Sequence, residues 1–564
     1  MRKLIRVLPA AVLAMACGTT EGPRSDSPNG GTLIVAMSAD AVDVFPPLTG
    51  DESGAAVRDL IFDRLALIGP ELTTVGDKGF TPQLAKSWMW SPDSLSIAFS
   101  IDPKARWHDG KPVTAADVRY SLRAFTDPKV GSQVAPLLTN IDSVSVRDSS
   151  TAVFFFKKRM PEQFYDVAYQ LYIVPEHVYG KVPFDSLRTS PVIRTPIGSG
   201  RFRFVSWKPE VQIELIADTA NYRGRPKLDR VILTPADPST GTGATQILTG
   251  QADFIQAFPI NRKSELDSST VARGVTAPTQ QYSFLGMNKY APKSKREPHP
   301  IFGDIRVRRA LSMAVDRAGM LRNVFGDLGR IAHGPFPMGQ TASDSTIRLP
   351  AYDTTAAAAM LDSSGWRRGP DGMRSKNGRP LHFSMLVPNS SSTRVKYAPL
   401  LQEQFHRIGA AVSIDQMDYK TYLARVITKG DRAGDFDTIL NTFQPDPSVS
   451  GAKQNWSTEA IGGPAGQNWM LYSNTIVDAA LDSAVAAFDP AKVKAYSSRA
   501  FQQIVDDIPA IWLYDVVFVS AVNRRVTVPP IRTDGWQMNL ADWSIPVAKR
   551  IDRDNLGVTP AKKQ

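Results

Sequence analysis

The chain has 564 residues, one of which is cysteine, and 42% of them are hydrophobic. Its formal net charge is +11. Its 66 lysine and arginine residues are interspersed with 55 acidic residues and form no single basic patch, so the charge does not indicate nucleic-acid binding. A lone cysteine excludes a disulfide within the chain. The length allows several domain-sized units, which packing alone must hold together.

The amino terminus has the pattern of a secretory signal peptide over residues 1–16. A basic start precedes ten apolar or small residues at positions 7–16, which are too few to span a bilayer. Cleavage there makes Cys17 the first residue, an arrangement that resembles the lipobox of bacterial lipoproteins. The resemblance implies that diacylglycerol alkylates the sulfur of Cys17. The alternative is an ordinary secreted protein with an incidental cysteine.

Residues 17–30 are predicted to form a flexible linker, because they are rich in small and polar residues without apolar periodicity. No later apolar run reaches the roughly 20 residues that a membrane span needs. We therefore expect a periplasmic or otherwise extracytoplasmic body that its lipid anchor holds at a membrane.

Strand and helix patterns alternate along the rest of the chain, which predicts a mixed α/β protein. The first strand is expected at residues 32–36, and alternating apolar residues predict another strand at 95–101. Thr114 and Asp117 have the spacing of a capping box at a helix start. Asp304 is expected to cap one helix that continues to Phe325.

Later segments continue the alternation. Asp353 is expected to open a helix that ends at Gly365, and residues 381–387 alternate as a strand does. Gly198 and Gly200 precede an alternating run and indicate a place where backbone segments approach closely.

Several phrases together resemble one family. Residues 107–122, WHDGKPVTAADVRYSL, are similar to the signature of the family 5 extracellular solute-binding proteins, which serve ABC importers of peptides, nickel and other solutes. Residues 196–200 (PIGSG), 221–229 (NYRGRPKLD) and 304–311 (DIRVRRAL) match the same family in the same order. The resemblance covers roughly residues 30–525.

The resemblance implies a two-lobed, periplasmic-binding-protein-like α/β fold of class II with an additional inserted small domain. Lobe I is expected to combine residues 31–65, 190–283 and 521–564, the inserted domain to occupy 66–189, and lobe II to occupy 284–520. Two chain crossings near residues 282–288 and 513–521 are expected to act as a hinge. Such lobes close on a ligand and bury it.

Catalytic and metal motifs are not found. The six histidines lie far apart without zinc-ligand spacing, and glycine-rich phrases lack the nucleophile-elbow and phosphate-loop patterns. We therefore expect no enzyme activity, no cofactor and no metal site. Two alternatives to an importer's receptor stay open: a surface binding protein without a transporter, and a hydrolase.

The ligand site is expected on lobe II after residues 436–440. In peptide-binding relatives an aspartate shortly before a similar Asp-Pro pair holds the peptide ammonium, and the corresponding position here holds Phe443. Asp446 is the nearest carboxylate that could replace it. The complete predicted ligand set is Phe443, Gln444, Asp446, Trp456, Asn468 and Trp469.

The expected solute is a short peptide or another small organic molecule. A bare nickel ion is not expected, because histidine and cysteine are not clustered. The expected partners are the permease subunits of an ABC transporter and, through the lipid anchor, a membrane. The protein itself is expected to be a monomer.

Overall fold

The computed structural model describes residues 27–554 except 237–239, 338–339, 341, 428–431 and 463–465. The predicted signal peptide and Cys17 lie outside the described residues, as does most of the predicted linker. Helices and strands alternate through the described chain, which confirms the mixed α/β prediction.

The strands share an extended backbone and belong to four sheets. They are β1 (Thr32–Met37), β2 (Ala66–Leu67), β3 (Thr81–Pro82), β4 (Ala85–Trp90), β5 (Ser96–Ile101), β6 (Ile141–Asp148), β7 (Thr151–Phe156), β8 (Phe202–Lys208), β9 (Gln212–Ala217), β10 (Arg230–Pro235), β11 (Phe254–Ile255), β12 (Ala272–Met287), β13 (Arg367–Arg368), β14 (Arg374–Lys376), β15 (Arg379–Pro380), β16 (His382–Pro388), β17 (Ala411–Met417), β18 (Thr438–Phe443) and β19 (Ala510–Asn523).

The helices cover these sheets and connect their strands. They are α1 (Glu52–Ile61), α2 (Ala115–Thr126), α3 (Gln163–Tyr165), α4 (Glu176–Tyr179), α5 (Thr242–Leu248), α6 (Lys263–Asp267), α7 (Ile305–Met313), α8 (Arg317–Phe325), α9 (Thr354–Ser363), α10 (Ser392–Arg407), α11 (Tyr419–Val426), α12 (Val449–Trp456), α13 (Thr475–Ala486) and α14 (Pro490–Asp507).

One ten-stranded sheet runs through both halves of the molecule in the order β17-β16-β18-β12-β19-β11-β1-β10-β9-β8. Its centre is the antiparallel pair β12 and β19. β12 pairs with β18 only from Tyr282 onward, and β19 pairs with β11 only at residues 521–522. The two long strands therefore connect one half of the sheet to the other.

The connecting pair has a register shift between Pro278 and Tyr282. A bulge of this kind bends a strand and interrupts its ladder. Residues 282–287 and 513–521 of the predicted crossing segments lie on these strands, and a second register shift falls between Ser283 and Phe284, inside the first segment. Residues 282–287 pair with β18 as well as with β19, so the chain passes from the first half of the sheet to the second at the start of this stretch.

The buried apolar residues divide in the same way. The largest cluster draws on positions 33–254 and 522–545, and it includes residues from both the β1 region and the four-stranded sheet β4-β5-β7-β6. Two other clusters draw on positions 282–514. The four-stranded sheet thus shares its core with the first half of the large sheet.

Several local predictions agree with the structure. Asp117 accepts a hydrogen bond from the backbone N–H of Thr114 at 2.8 Å, as a capping box requires. Asp353 caps α9 by accepting from the N–H of Ala356 at 2.8 Å. A Cβ added to Gly198 would lie 2.0 Å from the carbonyl oxygen of Ile61, which explains the need for glycine there.

The single helix predicted from Asp304 to Phe325 is wrong, because the structure has two helices there. α7 ends at Met313, and α8 begins again at Arg317. Asp316 accepts a hydrogen bond from the N–H of Gly319 at 2.8 Å and starts the second helix. A short acidic side chain that binds nearby backbone N–H groups interrupts a helix, even though the apolar stripe continues.

Among the described helices, none combines the length and apolar character needed to cross a membrane.

Candidate ligand-binding cleft

The candidate cleft is the place where the carboxyl ends of two sets of parallel strands face each other. β1 is parallel to β11, and β12 runs the same way, because β11 and β12 are both antiparallel to β19. β16 and β18 are parallel to each other and antiparallel to β12, so they point back toward the first half. Ligands of open α/β sheets bind outside the carboxyl ends of strands, so the loops after β1, β16 and β18 form the candidate site.

Asp446, in the loop after β18, contacts the region of the four-stranded sheet. Its Oδ2 accepts hydrogen bonds from the Tyr165 hydroxyl at 2.7 Å and from the side-chain amide of Gln170. Its Oδ1 accepts from the backbone N–H of Ser448 at 2.9 Å. The carboxylate therefore joins the two sides of the cleft through protein donors.

Glu162 makes a second contact across the same interface. It accepts from the backbone N–H of Val449 at 3.2 Å and from the Ser450 hydroxyl at 2.8 Å, both at the start of α12. Burial raises the pKa of Glu162 to about 7. The hydrogen bond from Ser450 opposes that rise, and the negative charge of Asp446 adds to it.

Asp166 completes an acidic group at this contact. Burial raises the pKa of Asp166 well above its usual range, and the charges of Glu162 and Asp446 raise it further. We call Glu162, Asp166 and Asp446 the acidic contact. The neighbouring negative charges and burial both favour the protonated forms of Glu162 and Asp166 at this interface.

Phe443 and Trp456 lie in an aromatic core behind β18. The Phe443 ring is 4.9 Å from that of Phe284 and 5.4 Å from that of Trp469, measured between centroids. Trp456 is fully buried and donates its indole N–H to the Tyr282 hydroxyl at 2.9 Å. These two side chains pack in the core of the second half. Their contact with a ligand remains a prediction, and their packing does not support it.

The other predicted ligand residues differ in their surroundings. Asn468 is buried, and its amide donates to the carbonyl oxygens of Ser457 at 2.8 Å and Tyr472 at 2.7 Å, so it holds its own loop. Gln444 is exposed next to the connecting strands, where its side-chain oxygen accepts from Gln281 at 2.9 Å. Trp469 is 9% exposed beside Phe443.

Two charged residues that the sequence analysis does not single out belong to this cleft. Glu52 opens α1 after the loop that follows β1, and Arg394 lies in the first turn of α10, which follows β16. Glu52 is exposed to solvent, whereas Arg394 is 9% exposed. Their shared place after a parallel strand is the signal that could have found them.

Comparisons with known proteins now identify the family. A family model described as bacterial extracellular solute-binding proteins, family 5 Middle, matches residues 79–462. The chain belongs to this family. A protein of Brucella melitensis named as an ABC transporter peptide-binding protein is 27% identical over 95% of this chain and 96% of its own length. The oligopeptide-binding protein AppA of Bacillus subtilis is 23% identical over 89% of this chain and 91% of its own length.

Solved structures show the same fold. AppA of Bacillus subtilis in complex with a nonapeptide has a TM-score of 0.81 and 22% identity, over 92% of this chain and 99% of that chain. NikZ of Campylobacter jejuni in complex with Ni(L-His) has a TM-score of 0.80 and 23% identity, over 91% of this chain and 99% of that chain. The predicted two-lobed, periplasmic-binding-protein-like fold is confirmed. The family is one of extracellular solute-binding proteins, which agrees with the predicted extracytoplasmic location.

Proposed function

We propose that the protein captures a short peptide in the cleft between its two halves and delivers it to the permease of an ABC importer. The observation that carries the proposal is the pair of facing carboxyl-end edges, whose two halves of the sheet are connected through β12 and β19. This arrangement allows closure by bending at the two register shifts that flank residues 282–283. The curated relatives that bind peptides share the family and nearly the full length of the chain.

The proposed division into lobes follows the boundaries expected from the sequence: 31–65, 190–283 and 521–564 for lobe I, 66–189 for the inserted domain, and 284–520 for lobe II. The buried apolar clusters support the separation of lobe II from the rest. Glu162 and Asp446 then act between the inserted domain and lobe II. The same solute-binding role requires no catalysis, so we expect no turnover of bound peptide.

The experiment adds a tryptic digest of casein to the purified mature protein. Native mass spectrometry should detect bound peptides of unchanged mass, and small-angle scattering should show a smaller radius of gyration with the digest than without it. Bound peptides with an unchanged radius would contradict hinge closure. Absence of any bound peptide would contradict the peptide proposal, and hydrolysed products would favour the alternative of a hydrolase.

The anchor is a separate part of the proposal. We expect Cys17→Ser to abolish incorporation of radiolabelled palmitate and to release the protein into the soluble fraction, because Cys17 is the only thiol of the chain. Label retained by the variant would contradict lipid attachment at Cys17. Loss of peptide uptake on deletion of the permease would separate an import receptor from a surface binding protein.

A further inference from the structure

A cavity of about 250 Å³ lies at the edge of lobe II that faces away from the candidate cleft. β12 ends in the wall of this cavity at Met287, which pairs with Thr438, the first residue of β18. The candidate cleft lies beyond the opposite, carboxyl ends of β16 and β18, so the cavity is separate from it. The loop before α13, the carboxyl end of α14 and one residue of α7 complete the walls.

Lys289 brings an unpaired cation to this cavity. Its side chain is half-buried, and its ammonium group makes no hydrogen bond or ion pair with the described residues. The ring of Tyr290 is 5.9 Å from the ammonium nitrogen, at the outer limit of a cation–π contact. Burial lowers the pKa of Lys289, the charge of Arg308 lowers it further, and the charge of Asp507 opposes the shift. The cation is thus partly removed from water, and a ligand anion would stabilise it.

The two other charged groups of the cavity already have protein partners. Arg308 donates its guanidinium to three backbone carbonyl oxygens at 2.6–3.0 Å, two of them at the carboxyl end of α14. The carboxylate of Asp507 accepts hydrogen bonds at 2.6–3.0 Å from three side chains, those of Tyr472, Asn474 and Gln503. The described lining residues therefore carry two cations and one carboxylate, so one negative charge on a ligand would balance them.

The rest of the wall is partly apolar and limits the ligand to a small organic molecule. Met287, Met470 and Pro509 line the cavity, and methionine side chains adapt to ligands of different shape. The volume is below the roughly 300–1,000 Å³ of pockets that hold drug-sized ligands. Inorganic phosphate would leave the apolar wall unused, and Asp507 would repel its second negative charge.

We propose that this cavity binds a small monocarboxylate with an apolar body, whose carboxylate pairs with Lys289 and whose body contacts the two methionines and the proline. The site is additional to the peptide cleft and does not rest on the proposed function. A lysine holds a carboxylate as a point charge on a flexible stem, which suits a half-buried position. Because the cavity and the cleft lie at opposite edges of the sheet in lobe II, both ligands should bind at the same time.

The test measures binding of isocaproate to the purified mature protein by ligand-observed NMR. Isocaproate should bind saturably with a dissociation constant below about 10 mM, and its uncharged amide should bind at least about 10-fold more weakly. Lys289→Gln should weaken isocaproate binding by a similar factor without lowering the melting temperature, whereas Lys289→Arg keeps the charge and should retain most of the affinity. Lys396→Gln is the matched control, because Lys396 is also half-buried in lobe II but lies on α10 and does not line this cavity.

The outcomes decide this inference separately from peptide capture. No saturable binding of isocaproate would overturn it, and so would equal affinities of the native protein and Lys289→Gln. Leucine has the same body with an added ammonium group, so tighter binding of leucine would overturn the assignment to a monocarboxylate. Displacement of isocaproate by the casein tryptic digest would place the probe in the cleft and overturn the separate site. If the digest itself does not bind, the peptide proposal fails, while isocaproate binding that depends on Lys289 would still support this site.

Discussion

Two groups of side chains lie next to each other at the end of β18 and have different roles. Phe443 belongs to the aromatic core of lobe II, together with Phe284 and Trp456. Asp446, three residues later, belongs to the acidic contact and reaches across the cleft to Tyr165. Phe443 therefore contributes to the stability of lobe II, whereas Asp446 contributes to the contact across the cleft. Mutations should separate the two effects.

The largest effect should come from the aromatic core. Phe443→Ala removes a ring that is 3% exposed and packed between other rings, so we expect the free energy of unfolding to fall by about 3–5 kcal/mol. Equilibrium denaturation in urea, followed by tryptophan fluorescence, measures the change. Phe155→Ala is the control, because Phe155 is 39% exposed. An unchanged stability with lost peptide affinity would place Phe443 in the ligand site.

The sequence could predict much of the fold because its information is local. Capping residues such as Thr114 and Asp353 fix helix starts through backbone hydrogen bonds to residues two or three positions away. The same local information failed between Asp304 and Phe325, where an apolar stripe continued past a second cap at Asp316.

The site was less predictable because its contacts are distant in sequence. Asp446 contacts Tyr165 and Gln170, which lie 281 and 276 positions earlier in the chain, and no local pattern encodes that pairing. The aromatic residues Phe443 and Trp456 could be expected either in the cleft or in the core, since apolar character alone suits both. The burial of Arg394 could not be predicted, because most arginines in the first turn of a helix are exposed and the local sequence does not distinguish this one.

The next effect concerns the role of Asp446. Asp446→Ala leaves the Tyr165 hydroxyl, the Gln170 amide and the Ser448 N–H without their acceptor, so we expect closed, peptide-bound protein to lose about 3 kcal/mol. Calorimetry with a peptide and its amino-acetylated form measures the loss. Equal losses agree with a contact between the inserted domain and lobe II. A loss confined to the free amine would instead support the predicted pairing of Asp446 with the peptide ammonium.

The acidic contact should make closure depend on pH. Burial at this contact raises the pKa of Glu162 to about 7. In the open form we assign this carboxyl its ordinary pKa of 4.5. The closed form then binds a proton more tightly than the open form. The resulting stabilisation is complete below the open-form pKa and is lost as the pH rises through about 7. Between pH 5.5 and 8 the difference is about 2 kcal/mol.

Peptide affinity should therefore be higher at pH 5.5 than at pH 8, as measured by calorimetry in buffers of matched ionic strength. Glu162→Gln carries no titrating proton, so its affinity should change much less across this range. A native protein whose affinity rises with pH would contradict the expected sign. An equally steep profile in Glu162→Gln would assign the titration to another group, such as Asp166, whose pKa burial also raises.

The smallest effect should come from one hydroxyl of the acidic contact. Tyr165→Phe removes the hydrogen bond to Asp446 but keeps the buried ring, so peptide binding should weaken by about 1 kcal/mol. Tyr120→Phe is the matched control, since the Tyr120 hydroxyl is buried without a partner among the described residues. That control should leave peptide affinity unchanged.

A double-mutant cycle decides whether this hydroxyl acts through Asp446. In an Asp446→Ala background the acceptor is already absent, so adding Tyr165→Phe should cost little more, and the two changes should combine to less than their sum. Additive losses would show that Tyr165 contributes independently of the carboxylate, through its ring or through the ligand. A coupling of about 1 kcal/mol would identify the Tyr165–Asp446 hydrogen bond as a contact made when the cleft closes.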